Sequence, residues 1–137
     1  MKKIKFLLSF VVLFGVVATI VGCDSTLQAE NSYVTLDINP SVELIVSQND
    51  KVVYANALNE DAEVLLSGLD LKGMDLDDAI DLIIQTSIEL GYISTDEDQE
   101  TYVSVSTVST DEALRERIQQ KVKEQINNSF QKRAMFG

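Results

Sequence analysis

Short stretches with a hydrophobic residue at every second position follow one another over residues 33–58. In YVTLDI the alternation predicts a strand with one buried face, formed by Val34, Leu36 and Ile38. The segment SVELIV repeats this pattern directly after Pro40, the only proline in the chain. KVVYANAL then supplies a return strand after a tight turn at Asn49-Asp50, so the last two stretches predict a β-hairpin.

The hydrophobic spacing becomes helical after Leu58. NEDAEVLLSGL predicts a short helix that ends at Gly68. LKGMDLDDAIDLIIQTSIELGY predicts a longer helix with Asp75 as its N-cap and Gly91 as its C-terminal stop. One face of this helix is predicted to be buried, and it carries Leu76, Ile80, Ile83, Ile84, Ser87 and Ile88.

The last third of the chain predicts one more strand and one more helix. TYVSVSTV has the alternation of a strand, and Ser109 with Glu112 has the form of a capping box that opens a helix. Apolar residues then recur every fourth position, at Leu114, Ile118, Val122, Ile126 and Phe130. The order β-β-β-α-α-β-α predicts an α+β fold, with a small, mostly antiparallel sheet of about four strands and helices packed on one face.

The N-terminus has the pattern of a targeting segment. Lys2, Lys3 and Lys5 precede an apolar run over residues 6–22, FLLSFVVLFGVVATIVG. The run is close to the shortest length that spans a bilayer, so a transmembrane helix is the competing interpretation. It ends in IVGC, which resembles a bacterial lipobox. We therefore predict a lipoprotein signal peptide over residues 1–22 and a diacylglyceryl group on Cys23.

This interpretation also accounts for the single cysteine. One thiol cannot form a disulfide within the chain, whereas a thioether to lipid uses it. Two acyl chains anchor a protein stably, at about 0.8 kcal/mol per buried methylene. We expect a polar tether over residues 23–31, an α+β domain over residues 32–133, and attachment to the extracytoplasmic face of the cell membrane through Cys23.

Charge and composition exclude several functions. Three of the 11 basic residues and none of the 22 acidic residues precede Cys23, which leaves a formal charge of −14 on the remainder. Such a surface repels nucleic acid and anionic lipid. Histidine is absent, so the usual general base and the commonest zinc ligand are missing. Nothing in the sequence predicts a cofactor.

Two acidic segments are candidates for metal binding. DLDDAID holds Asp75, Asp77, Asp78 and Asp81, but it lacks the alternation and the glycine of an EF-hand loop. We interpret these residues as a cap and a solvated helix face. The segment TDEDQE is interpreted as a solvated acidic loop. No metal site is predicted at either place.

The dipeptide Asn39-Pro40 has two interpretations. Asn-Pro commonly begins a turn, and proline is tolerated at the start of a strand. The asparagine carboxamide can also attack its own backbone carbonyl and expel proline as a free amine. The proline ring is expected to restrict Asn39 to extended geometry, and a strained turn would hold the reacting atoms close together.

Four segments together resemble the extracytoplasmic middle domain of the RsgI family, the transmembrane anti-sigma-I factors of Firmicutes. These segments are LDINPSVEL, ALNEDAE, LDLKGMDLDDAID and ELGYI. The resemblance implies self-cleavage of the Asn-Pro bond, with the two fragments held together by the fold and used in envelope signalling. Asn39 would be the nucleophile, Pro40 the new N-terminus, and Asp37 and Ser41 supporting residues beside the bond.

Other functions remain open alongside this one. Only five residues precede the apolar run, so we expect no contact with a sigma factor. The alternative is a lipoprotein binding or scaffold module that is not cleaved and recruits an unidentified protein through its acidic surface or an exposed sheet edge. An enzyme acting on cell-wall polymers would need a pair of carboxylates, and no pair stands out. Apart from single-turnover self-cleavage, we therefore predict no enzymatic activity.

Overall fold

A computed structural model describes residues 31–96 and 98–136. The predicted α+β fold and the order of its elements are confirmed. The elements are β1 (Ser32–Asp37), β2 (Ser41–Val46), β3 (Val52–Ala57), α1 (Glu60–Ser67), α2 (Leu76–Glu89), β4 (Ser104–Val108) and α3 (Glu112–Phe136).

The four strands form one antiparallel sheet in the order β3-β2-β1-β4. The first strand of the domain is therefore an interior strand with a hydrogen-bonded neighbour on each side. Leu36 of β1, for example, is paired with Val42 of β2 and with Val105 of β4. The chain that enters the domain at β1 is thus built into the middle of the sheet.

One face of the sheet is covered and the other is open. The predicted alternation is confirmed, since Val34, Leu36 and Val42 are fully buried. They join a single hydrophobic core with the buried faces of the helices. The opposite positions of the strands are exposed or half-buried. We call this second surface the open face, formed by Tyr33, Thr35, Asp37, Ser41, Glu43, Ile45, Tyr54, Asn56, Ser104, Ser106 and Val108.

The ends of α2 agree with the prediction in one case and differ in the other. Gly91 has a φ of 85°, a conformation that glycine adopts without a Cβ penalty, and it follows the end of the helix as predicted. Asp75 occupies the N-cap position but makes no capping hydrogen bond. Its carboxylate instead lies 2.5 Å from the Lys51 ammonium, which competes for the oxygen that a cap would use.

The last strand and helix begin later than predicted. β4 begins at Ser104, three residues after the start of the TYVSVSTV pattern. The predicted capping box of Ser109 and Glu112 is wrong, because the helix begins at Glu112. Asp111 is the residue that caps it, and its Oδ1 accepts from the backbone nitrogens of Ala113 at 2.8 Å and Leu114 at 3.3 Å. A carboxylate satisfies these free N–H groups and favours the positive end of the helix.

The predicted signal peptide, Cys23 and most of the predicted tether lie outside the described residues. In the part of the chain that the structure describes, none of the helices is long and apolar enough to cross a membrane.

Candidate functional site

The Asn39–Pro40 bond lies in a three-residue turn between the two interior strands β1 and β2. Asp37 and Ser41 are paired as the last residues of the ladder, which leaves residues 38–40 as the loop. Ile38 and Pro40 are buried, whereas Asn39 between them is exposed. The turn is therefore fixed by a buried side chain on each side, and only the asparagine projects into solvent.

Asn39 has a left-handed backbone, with a φ of 72°. The expectation of an extended Asn39 is wrong. The short connection between two antiparallel strands requires a reversal that an extended residue does not supply. Asparagine adopts this region more readily than other residues with a side chain, at a cost on the order of 1–3 kcal/mol, and the proline that follows disfavours it further. The Asn39–Pro40 bond is trans.

Two hydrogen bonds close the base of the turn. The backbone N–H of Ile38 donates to the carbonyl oxygen of Pro40 at 2.9 Å. The Ser41 hydroxyl donates to Oδ1 of Asp37 at 2.9 Å, from one strand to the other. The predicted supporting residues Asp37 and Ser41 are therefore bonded to each other across the turn. None of the side-chain hydrogen bonds between described residues uses the Asn39 carboxamide.

A further residue, Asn59, holds the strand on the proline side of the bond. Its Oδ1 accepts from the backbone nitrogen of Ser41 at 3.2 Å and from that of Ala62 at 2.9 Å. The same oxygen thus caps α1 and fixes the residue after Pro40. The backbone N–H of Leu58 also donates to the Ser41 carbonyl at 2.9 Å. Ser41 is held at both its N–H and its C=O groups by the segment that enters α1.

Sequence reasoning did not single out Asn59. The signal for its role as a cap was present, because an asparagine stands directly before the acidic first turn formed by Glu60, Asp61 and Glu63. Its contact with Ser41 joins residues 18 positions apart. No local pattern predicts that contact.

The turn holds the backbone on both sides of the Asn39–Pro40 bond and leaves the Asn39 side chain exposed. A fixed backbone on both sides of the bond limits the motion of the carbonyl carbon, and the exposed carboxamide is free of partners among the described residues. When the fold holds a nucleophile close to its target, less entropy is lost on reaching the transition state, and the activation free energy is lower.

Three of the four aspartates of DLDDAID are paired with cations. Asp75 contacts Lys51, Asp77 lies 3.6 Å from Lys121, and Asp81 lies 3.3 Å from Arg133. Within residues 31–96 and 98–136, no group of three or more carboxylate or thiol side chains is arranged to hold a metal ion. These aspartates connect α2 to the sheet and to α3.

Another group of ionic contacts lies at the β2–β3 turn. Asp50 has a φ of 58°, and its carboxylate accepts from both terminal nitrogens of Arg117, at 2.9 and 3.0 Å. Lys121 adds a contact at 3.3 Å. The hydrogen bond from Arg117 lowers the pKa of the Asp50 carboxyl below its ordinary value, although burial opposes this shift. Asp50 therefore ties the turn to α3.

Comparison with known families identifies the fold. Residues 31–135 match the family described as the anti-sigma factor RsgI-like central domain. The chain belongs to this family. The match includes all four strands, the first two helices and all but the last residue of α3, so the Asn39–Pro40 turn lies within an RsgI-like central domain.

Relatives of this RsgI-like central domain occur within much longer proteins. Two anti-sigma-I factors of Acetivibrio thermocellus, RsgI6 and RsgI9, are each 39% identical to this chain, over 98 and 89 residues. The aligned region is 72% and 65% of this chain but only 13% and 12% of those proteins. The anti-sigma-I factor RsgI of Bacillus subtilis is 28% identical over 102 residues, which is 26% of its length.

Proposed function

We propose that this protein is a lipid-anchored extracytoplasmic domain that cleaves its own Asn39–Pro40 bond and keeps the two fragments associated, as a part of envelope signalling. The proposal rests on the geometry of the turn: Asn39 is exposed and has a left-handed backbone, and hydrogen bonds hold the backbone before and after it. The names of the relatives, anti-sigma-I factors, support the signalling role. Sigma-factor binding is not assigned to this chain, because the match covers only a minor part of those relatives.

The chemistry needs only groups present in the turn. The Asn39 carboxamide nitrogen forms a bond to the Asn39 backbone carbonyl carbon, and the bond from that carbon to the Pro40 nitrogen breaks. The carboxamide gives up a proton and the Pro40 nitrogen gains one. The products are a C-terminal succinimide at Asn39 and a secondary amine at Pro40, and water then opens the succinimide.

Neighbouring residues would act by positioning. The hydrogen bond between Ser41 and Asp37 fixes the separation of the two strands at the turn. Asn59 fixes the backbone nitrogen of Ser41 and thereby the peptide that follows Pro40. With the leaving side held, rotation of the Asn39 side chain is the remaining motion that brings nitrogen to carbon.

The fold would hold the fragments together after cleavage. The N-terminal fragment would contribute β1, which forms ladders with both β2 and β4. Its side chains Val34, Leu36 and Ile38 are buried in the core, and burial of each contributes about 1.5–3 kcal/mol. The fragment would leave only when a pull on the anchor, or local unfolding, breaks both ladders.

The test is the mass of the mature chain. The full chain is produced in a bacterium that processes lipoproteins, and its membrane fraction is resolved on a denaturing gel with mass measurement. We expect a fragment that begins at Pro40. Asn39→Ala should abolish it, whereas the matched control Asn49→Ala, an asparagine in the other hairpin turn, should leave it. An intact wild-type chain would overturn self-cleavage.

Anchoring is tested separately in the same material. The unmodified protein should partition into the detergent phase of a Triton X-114 extraction, and Cys23→Ser should move it to the aqueous phase. Retention of Cys23→Ser in the detergent phase would favour an uncleaved apolar anchor over a lipid on Cys23.

A second candidate function is a binding module that is not cleaved. The observation in its favour is an open groove of about 270 Å³ between β4 and α3. Val103, Val105 and Ile126 supply an apolar lining, and Lys123 and Asn127 supply polar groups. β4 is also an edge of the sheet, and an edge strand accepts an added strand from a peptide. An intact chain in the mass measurement would favour this function.

A further inference from the structure

The open face carries one row of apolar side chains that crosses all four strands. Tyr54 of β3 is paired with Ile45 of β2, Ile45 with Tyr33 of β1, and Tyr33 with Val108 of β4. We call these four residues the apolar row. Tyr54 is 53% exposed, Tyr33 44% and Val108 61%, while Ile45 is half-buried between the two tyrosines.

The rest of the open face is polar, so its apolar and polar side chains lie at opposite ends of the strands. The next row along the strands is formed by Asn56, Glu43, Thr35 and Ser106, and the row after it by Ser41, Asp37 and Ser104. Asn56 donates to the Glu43 carboxylate at 3.2 Å, so these polar groups satisfy one another on the surface. Within the four strands, the exposed apolar side chains of the open face lie at the end where β1 begins; beyond the strands at the other end, Leu58 and Tyr102 are also exposed.

The apolar row lies at the end where the chain enters the domain. Tyr33 is the second residue of β1, and Cys23 is ten residues before it. A fully extended chain of ten residues spans at most about 33–36 Å. An anchor at Cys23 therefore keeps this end of the sheet within about 33–36 Å of the bilayer surface.

The charged residues of the β2–β3 turn, which leads into Tyr54, are paired. Asp50 is paired with Arg117 and Lys51 with Asp75. Apart from α3, which has six basic and three acidic residues, the domain is strongly acidic. The paired charges of the turn permit contact of the neighbouring apolar row with a zwitterionic lipid surface.

Cross-strand pairing accounts for part of the row and leaves part unexplained. Tyrosine beside isoleucine stabilises an antiparallel sheet by a few tenths to about 1 kcal/mol. That role does not require Val108 to be 61% exposed at the sheet edge. Tyrosine rings favour the boundary between lipid and water, since one end of the side chain is apolar and the other accepts and donates hydrogen bonds.

We propose that the apolar row of Tyr54, Ile45, Tyr33 and Val108 rests on the surface of the bilayer to which the chain is anchored. The proposal depends on the proposed anchoring. It gives the domain a fixed orientation, with the apolar row toward the lipid and the Asn39–Pro40 turn, at the other end of β1, away from it.

The test uses the absence of tryptophan from the chain. Tyr54→Trp places a single fluorophore in the apolar row, and Ser106→Trp places one in the polar row of the same face as the matched control. The full-length lipoproteins are reconstituted into phosphatidylcholine vesicles, with and without brominated acyl chains. Tyr54→Trp should emit at shorter wavelength and lose intensity to brominated lipid, whereas Ser106→Trp should do neither and should be quenched by acrylamide.

The readouts separate failure of this proposal from failure of the anchoring. A protein that does not float with the vesicles lacks an anchor, and both proposals then fail. A protein that floats while Tyr54→Trp is quenched by acrylamide and untouched by brominated lipid retains its anchor and overturns the contact. A blue-shifted Tyr54→Trp that brominated lipid does not quench is covered by protein, such as a second copy, and also overturns it.

Further variants keep the test decisive if Tyr54→Trp does not fold. Val108→Trp probes the opposite end of the apolar row and should give the same result as Tyr54→Trp if that variant does not fold. Equal quenching of Ser106→Trp and Tyr54→Trp would mean that the whole open face lies on the lipid, which would overturn the assignment to the row. Anionic phosphatidylglycerol in the vesicles should reduce the quenching of Tyr54→Trp.

Discussion

The side-chain oxygen of Asn59 lies 3.2 Å from the backbone nitrogen of Ser41, and it also caps α1. One acceptor thus connects the first turn of a helix to Ser41, the residue after Pro40. Through these two contacts, the position of α1 affects the position of the turn. The consequence is that the geometry of the turn depends on a contact 18 positions along the chain.

Replacement of Asn59 should slow cleavage as well as destabilise the domain. Asn59→Ala removes a helix cap, at a cost of about 1 kcal/mol in the free energy of unfolding, and it leaves the Ser41 N–H without its partner. Asn59→Asp keeps an oxygen at the same place and should stay close to wild type. Stability is measured by urea unfolding, and cleavage by the fraction of cut chain at fixed times after synthesis.

The comparison between these two variants has a clear contrary outcome. Should Asn59→Ala lose stability while the bond is cut at the wild-type rate, Asn59 would be a helix cap alone. Asn49→Ala serves as the control, because this asparagine is exposed in the other hairpin turn.

Leu36 should govern how firmly β1 is held. It is fully buried in the strand, and truncation of a buried leucine costs about 2–5 kcal/mol. Leu36→Ala should therefore unfold at lower denaturant and, in cut protein, release the N-terminal fragment earlier. Thr35→Ala alters the open face of the same strand and should cost less than about 1 kcal/mol. Equal effects of the two changes on fragment release would contradict the assigned role of the buried face.

Acid should weaken the contact of Asp50 with α3. Because the pKa of Asp50 is lowered in the folded state, the contact contributes stability above its ordinary value of 3.8, and the contribution is lost as pH falls through the folded pKa. Asn tolerates the left-handed backbone, so Asp50→Asn removes charge without new strain. At neutral pH the variant should lose about 1 kcal/mol or less, since Arg117 is half exposed.

The pH series provides the check on this prediction. Urea unfolding of wild type and Asp50→Asn should differ at pH 7 and converge toward pH 3. A constant difference across that range would show that the charge of Asp50 is not responsible. High salt should reduce the difference at pH 7, because it screens partly exposed ion pairs.

The buried hydroxyl of Ser87 is a place where substitution should stabilise the domain. Ser87 is fully buried in α2, and its hydroxyl oxygen has no hydrogen-bond partner. Ser87→Ala removes this unsatisfied group and introduces a better helix former, with an expected gain of about 1 kcal/mol. The melting temperature should rise, while Ser67→Ala, at an exposed hydroxyl that donates to Val64, should not raise it.

The sequence was informative wherever local pattern and burial agree. Alternation in residues 33–46 predicted which side of each strand is buried, and the spacing in α2 predicted its buried face, because one covered face imposes the same period on sequence and structure. The chemistry of an Asn-Pro pair indicated the Asn39–Pro40 turn as a candidate site, and the resemblance to the RsgI family favoured the same site.

What the sequence did not predict depends on contacts between distant residues. The Asp75 carboxylate contacts Lys51, which lies just before β3, and makes no capping hydrogen bond in α2. The left-handed Asn39 follows from the register of two paired strands, which overrides the local preference of a residue before proline. The contact of Asn59 with Ser41 likewise exists only once α1 packs beside the turn.

The interior position of β1 makes its departure an all-or-none event. β2 with β3 forms one hydrogen-bonded pair, and β4 is joined to that pair only through β1. A chain cut at Asn39–Pro40 that lost this strand would have no continuous sheet left. Its hydrophobic core would be exposed to solvent where β1 had covered it. Such a molecule responds once and is then spent, so any signal it carried would be renewed by synthesis of new protein and not by resetting the old.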